Sequence, residues 1–212
     1  MARRFRPLTP KRARELAGPC ASCAYWESPT RREMSCPHDC CSVDAPMLER
    51  WRRDVADEWG DFGRIAYEDG EVLGYVKYAP ARYFPQTAYM PAGRPPDDVV
   101  LLSCIHTRPE ARSIGLGSLL VGLALRDLAT RGERMLMAYG TVEKAEEAPM
   151  PTMDFLVARG FTVAAPHPLY PLLKLDIKAT ASWTENLEAV LESLQIALRV
   201  PKGVPTPWAG QR

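Results

Sequence analysis

The sequence predicts an α/β (α+β) chain with a mixed central sheet of about six to seven strands flanked by helices. Short strand-like runs alternate along it with amphipathic helical stretches. One run, Asp98–Thr107, is apolar almost throughout, as expected of a strand buried on both faces. A glycine-bearing turn then leads from that run into a Leu-rich helix. The 212 residues are 46% hydrophobic and 25% charged, the ordinary balance of a globular chain, which excludes a disordered one.

Taken in order, Phe5–Leu8 reads as a short edge strand among the solvated charges of Arg3, Arg4, Arg6, Lys11, Arg12 and Arg14. Pro, Gly and Cys then dominate up to Asp44, where little regular structure is expected. From Met47, the residues Leu48, Trp51, Val55 and Trp59 recur at helical spacing, with Asp44 as a cap, Pro46 near the first turn and Gly60 just past the end. Arg64–Glu68 and Val72–Tyr78 alternate in polarity and are joined by Asp69-Gly70, which accommodates the positive φ angles of a tight hairpin. Five prolines (Pro80, Pro85, Pro91, Pro95, Pro96) predict an extended surface loop over 79–97, before Asp98–Thr107 forms the central strand.

The turn at 112–117 opens a helix over Ser118–Arg131, with Leu119, Leu120, Leu123, Ala124 and Leu128 on one face and Gly132 as its stop. Met135–Tyr139 reads as a strand, Pro151–Arg159 as a short helix closed by Gly160, and Phe161–Ala164 and Leu172–Ile177 as strands around Pro166-His167-Pro168. Trp183, Leu187, Val190, Leu191, Leu194 and Leu198 predict a last amphipathic helix before a Pro-rich tail. One domain is expected over 1–178, with a Cys-rich insert over 19–46, and the helix and tail of 179–212 packed on it.

Lys and Arg number 27 against 26 Asp and Glu, a net charge of +1, so the chain carries no overall field that gathers nucleic acid or anionic lipid. The apolar stretches Val99–Ile105 and Leu119–Leu125 fall far short of the roughly 20 residues that cross a bilayer, and the Arg-rich start lacks a signal peptide's apolar core. A cytoplasmic protein is expected, with neither nucleic acid nor membrane as partner. Five of the six cysteines crowd into Cys20–Cys41, a pattern of metal sites or of reactive thiols in a reducing compartment. Cys20, Cys23, Cys36 and Cys40, with His38 and Cys41 adjacent, offer the ligands of a closed structural zinc site, at a spacing only near the standard one. Free, partly buried thiols and a redox disulfide fit the same letters.

The most informative segment is Thr107-Arg-Pro-Glu-Ala-Arg112-Ser-Ile-Gly115-Leu-Gly117-Ser118. Gly115 and Gly117 carry no Cβ, so a ligand can approach the main chain, and the first-turn N–H groups of the following helix point at whatever lies there. With the helix dipole and Arg112 they form an anion cradle suited to a pyrophosphate. Strand, Thr-x-Pro-x-x-Arg-x-x-Gly-x-Gly, helix and strand resemble motif A of the GNAT superfamily of acetyl-CoA-dependent N-acetyltransferases. The order of the other elements is similar to that family from about residue 3 to 177. The Cys20-x-x-Cys23-x-Tyr25-Trp26-Glu27 stretch and the Trp183 helix resemble a bacterial subgroup of unassigned substrate.

The resemblance implies direct acetyl transfer from acetyl-CoA to a primary amine, on a small molecule or a protein lysine. It implies that Ile105, His106 and Thr107 border the pantetheine arm, and that Arg112, Ser113, Ile114, Gly115, Leu116, Gly117 and Ser118 hold the pyrophosphate. The acyl carbonyl is then expected beside a gap where the strands part, near Cys104–Thr107 and Ala138–Thr141. Many relatives keep an Asn and a Tyr in the helix before the Gly-Phe pair, and here those places hold Pro149 and Leu156. The acid for the thiolate must come from elsewhere: His106 and Tyr139 are the candidate catalytic residues, with Tyr170 and His167 behind them. An imidazole of ordinary pKa near 6.5 suits such a transfer. Loss of the Asn and Tyr also admits a non-catalytic acyl-CoA-binding regulatory domain. The Cys-rich segment stands where the family places the helices that shape the acceptor pocket, and is expected to gate the acceptor. The acceptor itself, and the choice between monomer and homodimer, stay open at this point.

Overall fold

The computed structural model describes residues 3–16, 23–32, 45–111, 115–142 and 149–177. Strand β1 (Arg3–Pro7) turns Phe5 toward the core and leaves Arg4 and Arg6 exposed, as its alternation requires. A single-turn helix, α1 (Pro10–Ala13), follows, which the expectations above do not include. Its signal is a Thr before a Pro: Thr9 Oγ1 accepts the Arg12 N–H at 3.3 Å, and Pro10 opens the turn where no N–H is needed. Helix α2 (Ala45–Glu58) buries Leu48, Trp51 and Val55 along one stripe. Strands β2 (Gly63–Glu68) and β3 (Glu71–Pro80) pair antiparallel about Asp69-Gly70, both of positive φ.

The segment 79–97 is not the extended surface loop that its prolines suggest. Strand β3 runs on to Pro80, Ala81–Tyr83 and Pro85–Tyr89 wind into 3-10 turns, and Ala81, Phe84, Gln86, Thr87 and Met90 are buried. Proline removes a ladder donor but does not oppose burial. Phe84 packs 5.5 Å from Trp51, which in turn meets Phe62 edge-on at 5.3 Å, so the segment completes an aromatic cluster under α2.

Strands β4 (Val100–Thr107), β5 (Met135–Tyr139), β6 (Thr162–Ala165) and β7 (Leu172–Asp176) complete a seven-stranded sheet of order β1-β2-β3-β4-β5-β7-β6, with β4 at its centre. Only the β4–β5 pair is parallel. The last hairpin folds back, so that β7 lies against β5 and β6 forms the edge.

Two cores cover the two faces. Helices α3 (Leu116–Thr130) and α4 (Met153–Val157) pack Leu120, Ala124 and Leu156 onto Val76, Leu102, Leu136 and Leu173. On the other face α2 and the segment around Trp26 pack onto Ile65, Tyr75, Leu101 and Tyr139. Near its C-terminal end α3 is clamped to the sheet by Asp127, which pairs with Arg64 of β2, accepts the Tyr78 hydroxyl at 2.7 Å and pairs with Arg131 at 2.9 Å. Burial, then the charge of Asp127, pushes the Tyr78 phenol up. Among the described residues no helix is long and apolar enough to cross a membrane. The Asp44 cap, the helix expected over Trp183–Leu198 and the tail lie outside those residues.

Candidate active site

The parallel ladder between β4 and β5 is short: only Val100 with Leu136 and Leu101 with Met137 are in register. Both strands continue past it, β5 to Tyr139 against β7 and β4 to Thr107 against β3. A bulge lies where the pairing stops. Lys77 faces Cys104 and Tyr78 faces Leu102, leaving Ser103 as the extra residue, with its buried hydroxyl donating to the Lys77 carbonyl at 3.3 Å. An extra residue bends the strand that holds it, so the second half of β4 turns away from β5. The strands therefore part at the place the sequence resemblance implies. Beyond β5, the Thr141 carbonyl accepts the Met153 N–H at 2.8 Å and the Thr141 N–H donates to Pro151 at 3.0 Å, fixing the start of α4 at the end of that strand.

At the mouth of α3, Gly115 is the N-cap residue with φ of 83°, a left-handed conformation that disfavours any side chain. Gly117 also meets a packing requirement. A Cβ there would stand 3.0 Å from Phe155 Cε2 and 3.9 Å from Ile105 Cδ1, so α4 packs directly on the first turn of α3. Leu116 is buried beneath, and the Ser118 hydroxyl accepts from the Arg159 guanidinium at 2.5 Å. Arg112, Ser113 and Ile114 lie outside the described residues.

His106, half-buried, lies opposite Tyr75 with ring centres 5.9 Å apart, on the α2 face of the sheet. Beside it, the Tyr75 hydroxyl lies 3.7 Å from Cys104 Sγ. Tyr139 is buried on the same face. Its hydroxyl donates to the Gly93 carbonyl at 2.6 Å, its ring stacks on Trp26 at 5.5 Å, and burial pushes its phenol well above the ordinary range. Trp26 Nε1 donates to the Pro149 carbonyl at 2.9 Å, so one departure from the family pattern has become a prop for this layer. The other, Leu156, is fully buried in the opposite core. His167 Nδ1 accepts the N–H groups of Leu169 and Tyr170 at 3.2 and 3.0 Å, stabilising its own turn.

A buried ion pair on this face is absent from the expectations above. Lys77 donates to Glu27 Oε1, and the Glu27 side chain is wholly enclosed. The ammonium also sits 5.7 Å over the Trp51 ring. Burial by itself pushes Lys77 down, but the charge of Glu27, aided by Cys104 and Cys23, outweighs it and holds the ammonium above its usual value. Among the described residues, Glu27 Oε2 has no hydrogen-bond partner. The sequence does hold a signal for the pair, since Lys77 shares the inward parity of Tyr75 and Ala79 along β3. With Trp26 stacked on β5 and Glu27 tied to β3, the segment Tyr25–Glu27 crosses the far half of β4 and covers the gap on the α2 side. Cys23 is partly buried against the same core, whereas Cys20, Cys36 and Cys40 lie outside the described residues, among which no cluster of three metal-ligating side chains occurs.

The fold has counterparts. The family model of the acetyltransferase (GNAT) family matches residues 24–150. No curated protein sequence matches the chain closely enough to count as a relative. Among solved structures, the chain is similar to the PaiA N-acetyltransferase from Thermoplasma acidophilum in complex with coenzyme A, at a TM-score of 0.56 and 12% identity, over 83% of this chain and 99% of that one. It is similar to an N-acetyltransferase from Staphylococcus aureus Mu50 at a TM-score of 0.53 and 15% identity, over 84% and 99%. For an acetyltransferase of the GNAT family from Streptococcus pneumoniae the values are 0.51 and 16%, over 82% and 99%. At these identities the likeness is one of fold, and it agrees with the mixed sheet flanked by helices expected from the sequence. The family match spans more than half of the chain, and the protein belongs to the GNAT acetyltransferase family.

Proposed function

We propose that this protein is an N-acetyltransferase that moves the acetyl group of acetyl-CoA directly to a primary amine, on a small molecule or a protein lysine. The observation that supports the reading is the short β4–β5 ladder, which leaves the two strands unpaired beside the first turn of α3. Acetyl-CoA entering from the α3 face would run its pantetheine arm along Ile105, His106 and Thr107. Its pyrophosphate would rest on the main chain of Gly115, Leu116, Gly117 and Ser118, with Arg112, Ser113 and Ile114 completing the turn. The acceptor would approach from the α2 face, under Tyr25–Glu27.

The chemistry requires a neutral amine nitrogen to attack the acetyl carbon. The C–S bond breaks, the amine loses a proton and the CoA thiolate gains one. His106 is assigned to carry that proton, because it is half-buried at the gap and imidazole is the side chain that most often moves protons in such steps. Tyr139 is the weaker carrier. Its hydroxyl is committed to Gly93 and its burial holds the proton tightly, so its role is to support Trp26 beside the gap.

The test is thiol release from acetyl-CoA with polyamines, amino acids, aminoglycosides, arylamines and lysine peptides, beside calorimetric titration with CoA. CoA binding with thiol release for at least one amine class is expected. Binding without release by any of them would favour a non-catalytic acyl-CoA-binding domain, and no binding would overturn the reading.

A further inference from the structure

The described residues hold two cysteines, Cys23 and Cys104, and both pack against the core on the α2 face of the sheet. Neither is in a disulfide, and each is only half-buried, so both keep part of their surface open to small solutes. Cys104 follows the bulge of β4 and faces Lys77 across the ladder. Residues paired across a ladder share a face of the sheet, which sets the thiol on the side of the Lys77 ammonium. The Tyr75 hydroxyl lies 3.7 Å from its sulfur.

Cys23 comes to the same place from the covering segment. The Ser28 N–H donates to the Ala24 carbonyl at 3.0 Å, so the chain winds through one helical turn and brings Cys23 to the side of Glu27, four residues on. Glu27 is tied to Lys77, and the ammonium is held above its usual value by Glu27 first and then by both sulfurs. Two thiols from distant parts of the chain therefore converge on one cation. A cation beside a thiol favours the thiolate, the form that attacks electrophiles, whereas a structural cysteine enclosed in apolar surroundings is inert. The acetyl transfer proposed above uses neither sulfur.

We propose that Cys104 and Cys23 form an oxidation site, closed by a peroxide into a disulfide that pins the covering segment to β4. With hydrogen peroxide, the Cys104 thiolate attacks one oxygen, the O–O bond breaks, and a sulfenic acid forms as the other oxygen leaves as water. The Cys23 thiolate then attacks the sulfenic sulfur and displaces hydroxide, which leaves as a second water. The two thiols give up two electrons to the peroxide, and their two protons end in the two waters. The bond lies on the acceptor side of the gap, so it closes the approach under Tyr25–Glu27 and leaves the α3 face as it is. The oxidation site itself is independent of the acetyltransferase reading, and only its effect on transfer rests on that reading.

The test treats the full chain, reduced and freed of reductant, with hydrogen peroxide, blocks the remaining thiols with iodoacetamide and maps the cysteines by fragmentation mass spectrometry. The Cys23 and Cys104 peptides should be joined with the loss of two hydrogen masses, and dithiothreitol should separate them. In Cys23→Ser, Cys104 should stop at the sulfenic acid and be trapped by dimedone. Four competing thiols stand at Cys20, Cys36, Cys40 and Cys41, so the pairing is informative. Cys23 joined to one of these, a Cys104 that stays a thiol, or a Cys23 shielded by bound zinc would each overturn the proposal. The oxidised parent should lose acetyl transfer to an identified amine and regain it on reduction, with CoA affinity unchanged. Equal transfer in the two states would overturn the closure. A Cys23–Cys104 bond in a protein that acetylates no amine would leave the oxidation site standing, and the acetyltransferase reading would fall.

Discussion

On the α3 and α4 face, Leu102, Leu120, Leu136, Leu156 and Leu173 pack as an aliphatic layer whose polar anchor, Asp127, sits well away from the gap. The α2 face is built differently, from Trp26, Trp51, Phe62, Phe84 and Tyr139 around the buried pair Lys77 and Glu27, at the gap itself. Aliphatic contacts are many and individually small, so a wall made of them tolerates loss by degrees. A wall that rests on one enclosed ion pair depends on each partner separately. Under the function proposed above, the first face would present the cradle to an unvarying ligand, and the second would carry the directional contacts that select an acceptor.

The comparison can be broken most sharply at Glu27. Replacing it with Leu leaves the Lys77 ammonium enclosed without its acid, and urea unfolding should show a loss of roughly 3–5 kcal/mol. The double variant Glu27→Leu/Lys77→Met should regain most of it. A single variant as stable as the parent would show that the pair is not structural. His106→Ala tests the same face for chemistry. With an identified acceptor its turnover should fall by on the order of 100-fold while CoA affinity holds, the size typical of a general acid or base. Equal turnover would move the proton transfer to a water chain or another group.

On the opposite face, Asp127→Asn should cost about 1–3 kcal/mol in the same unfolding measurement, since Arg64, Arg131 and Tyr78 all lose a charged partner. Acetyl transfer should survive it, because the clamp lies at the far end of α3. The smallest effect expected is Tyr139→Phe, which leaves the Gly93 carbonyl without its donor and should lose about 1 kcal/mol. Alkaline pH probes the buried phenols together. Tyr25, Tyr78 and Tyr139 are all pushed up by burial, so each contributes stability below the unfolded value of about 10 and loses it as pH rises toward its folded value. Stability should therefore drop above about pH 10, less steeply in Tyr139→Phe than in the parent.

The features that could be read from the chain are those written in neighbouring residues. Asp69-Gly70 specifies a hairpin because positive φ is a local property, and the Leu-rich stripe of α3 and the Gly-x-Gly turn before it are local in the same sense. What could not be read depends on distant partners. The prolines of 79–97 announce missing ladder donors, but the burial of Phe84 and Gln86 follows from Trp51 and from the carbonyls of Ser28 and Thr30. Glu27 and Lys77 stand far apart in the chain, and only the fold shows them to be one object. The placement of β7 between β5 and β6 is likewise a matter of where a hairpin docks, which alternation alone leaves undetermined. The same holds for Arg159, whose place beside Ser118 depends on how α4 packs on α3.

The central claim is that the cofactor is held on the α3 side of the gap and the acceptor on the α2 side. Calorimetric titration of CoA into Gly117→Val and into Glu27→Leu/Lys77→Met, side by side with the parent, tests it most directly. A Val at 117 must displace Phe155 from the first turn of α3, so that variant should fold and yet lose CoA affinity by about tenfold or more. The double variant, altered only across the gap, should bind CoA as the parent does. Parental affinity in a folded Gly117→Val protein, or an equal loss in both variants, would contradict the account.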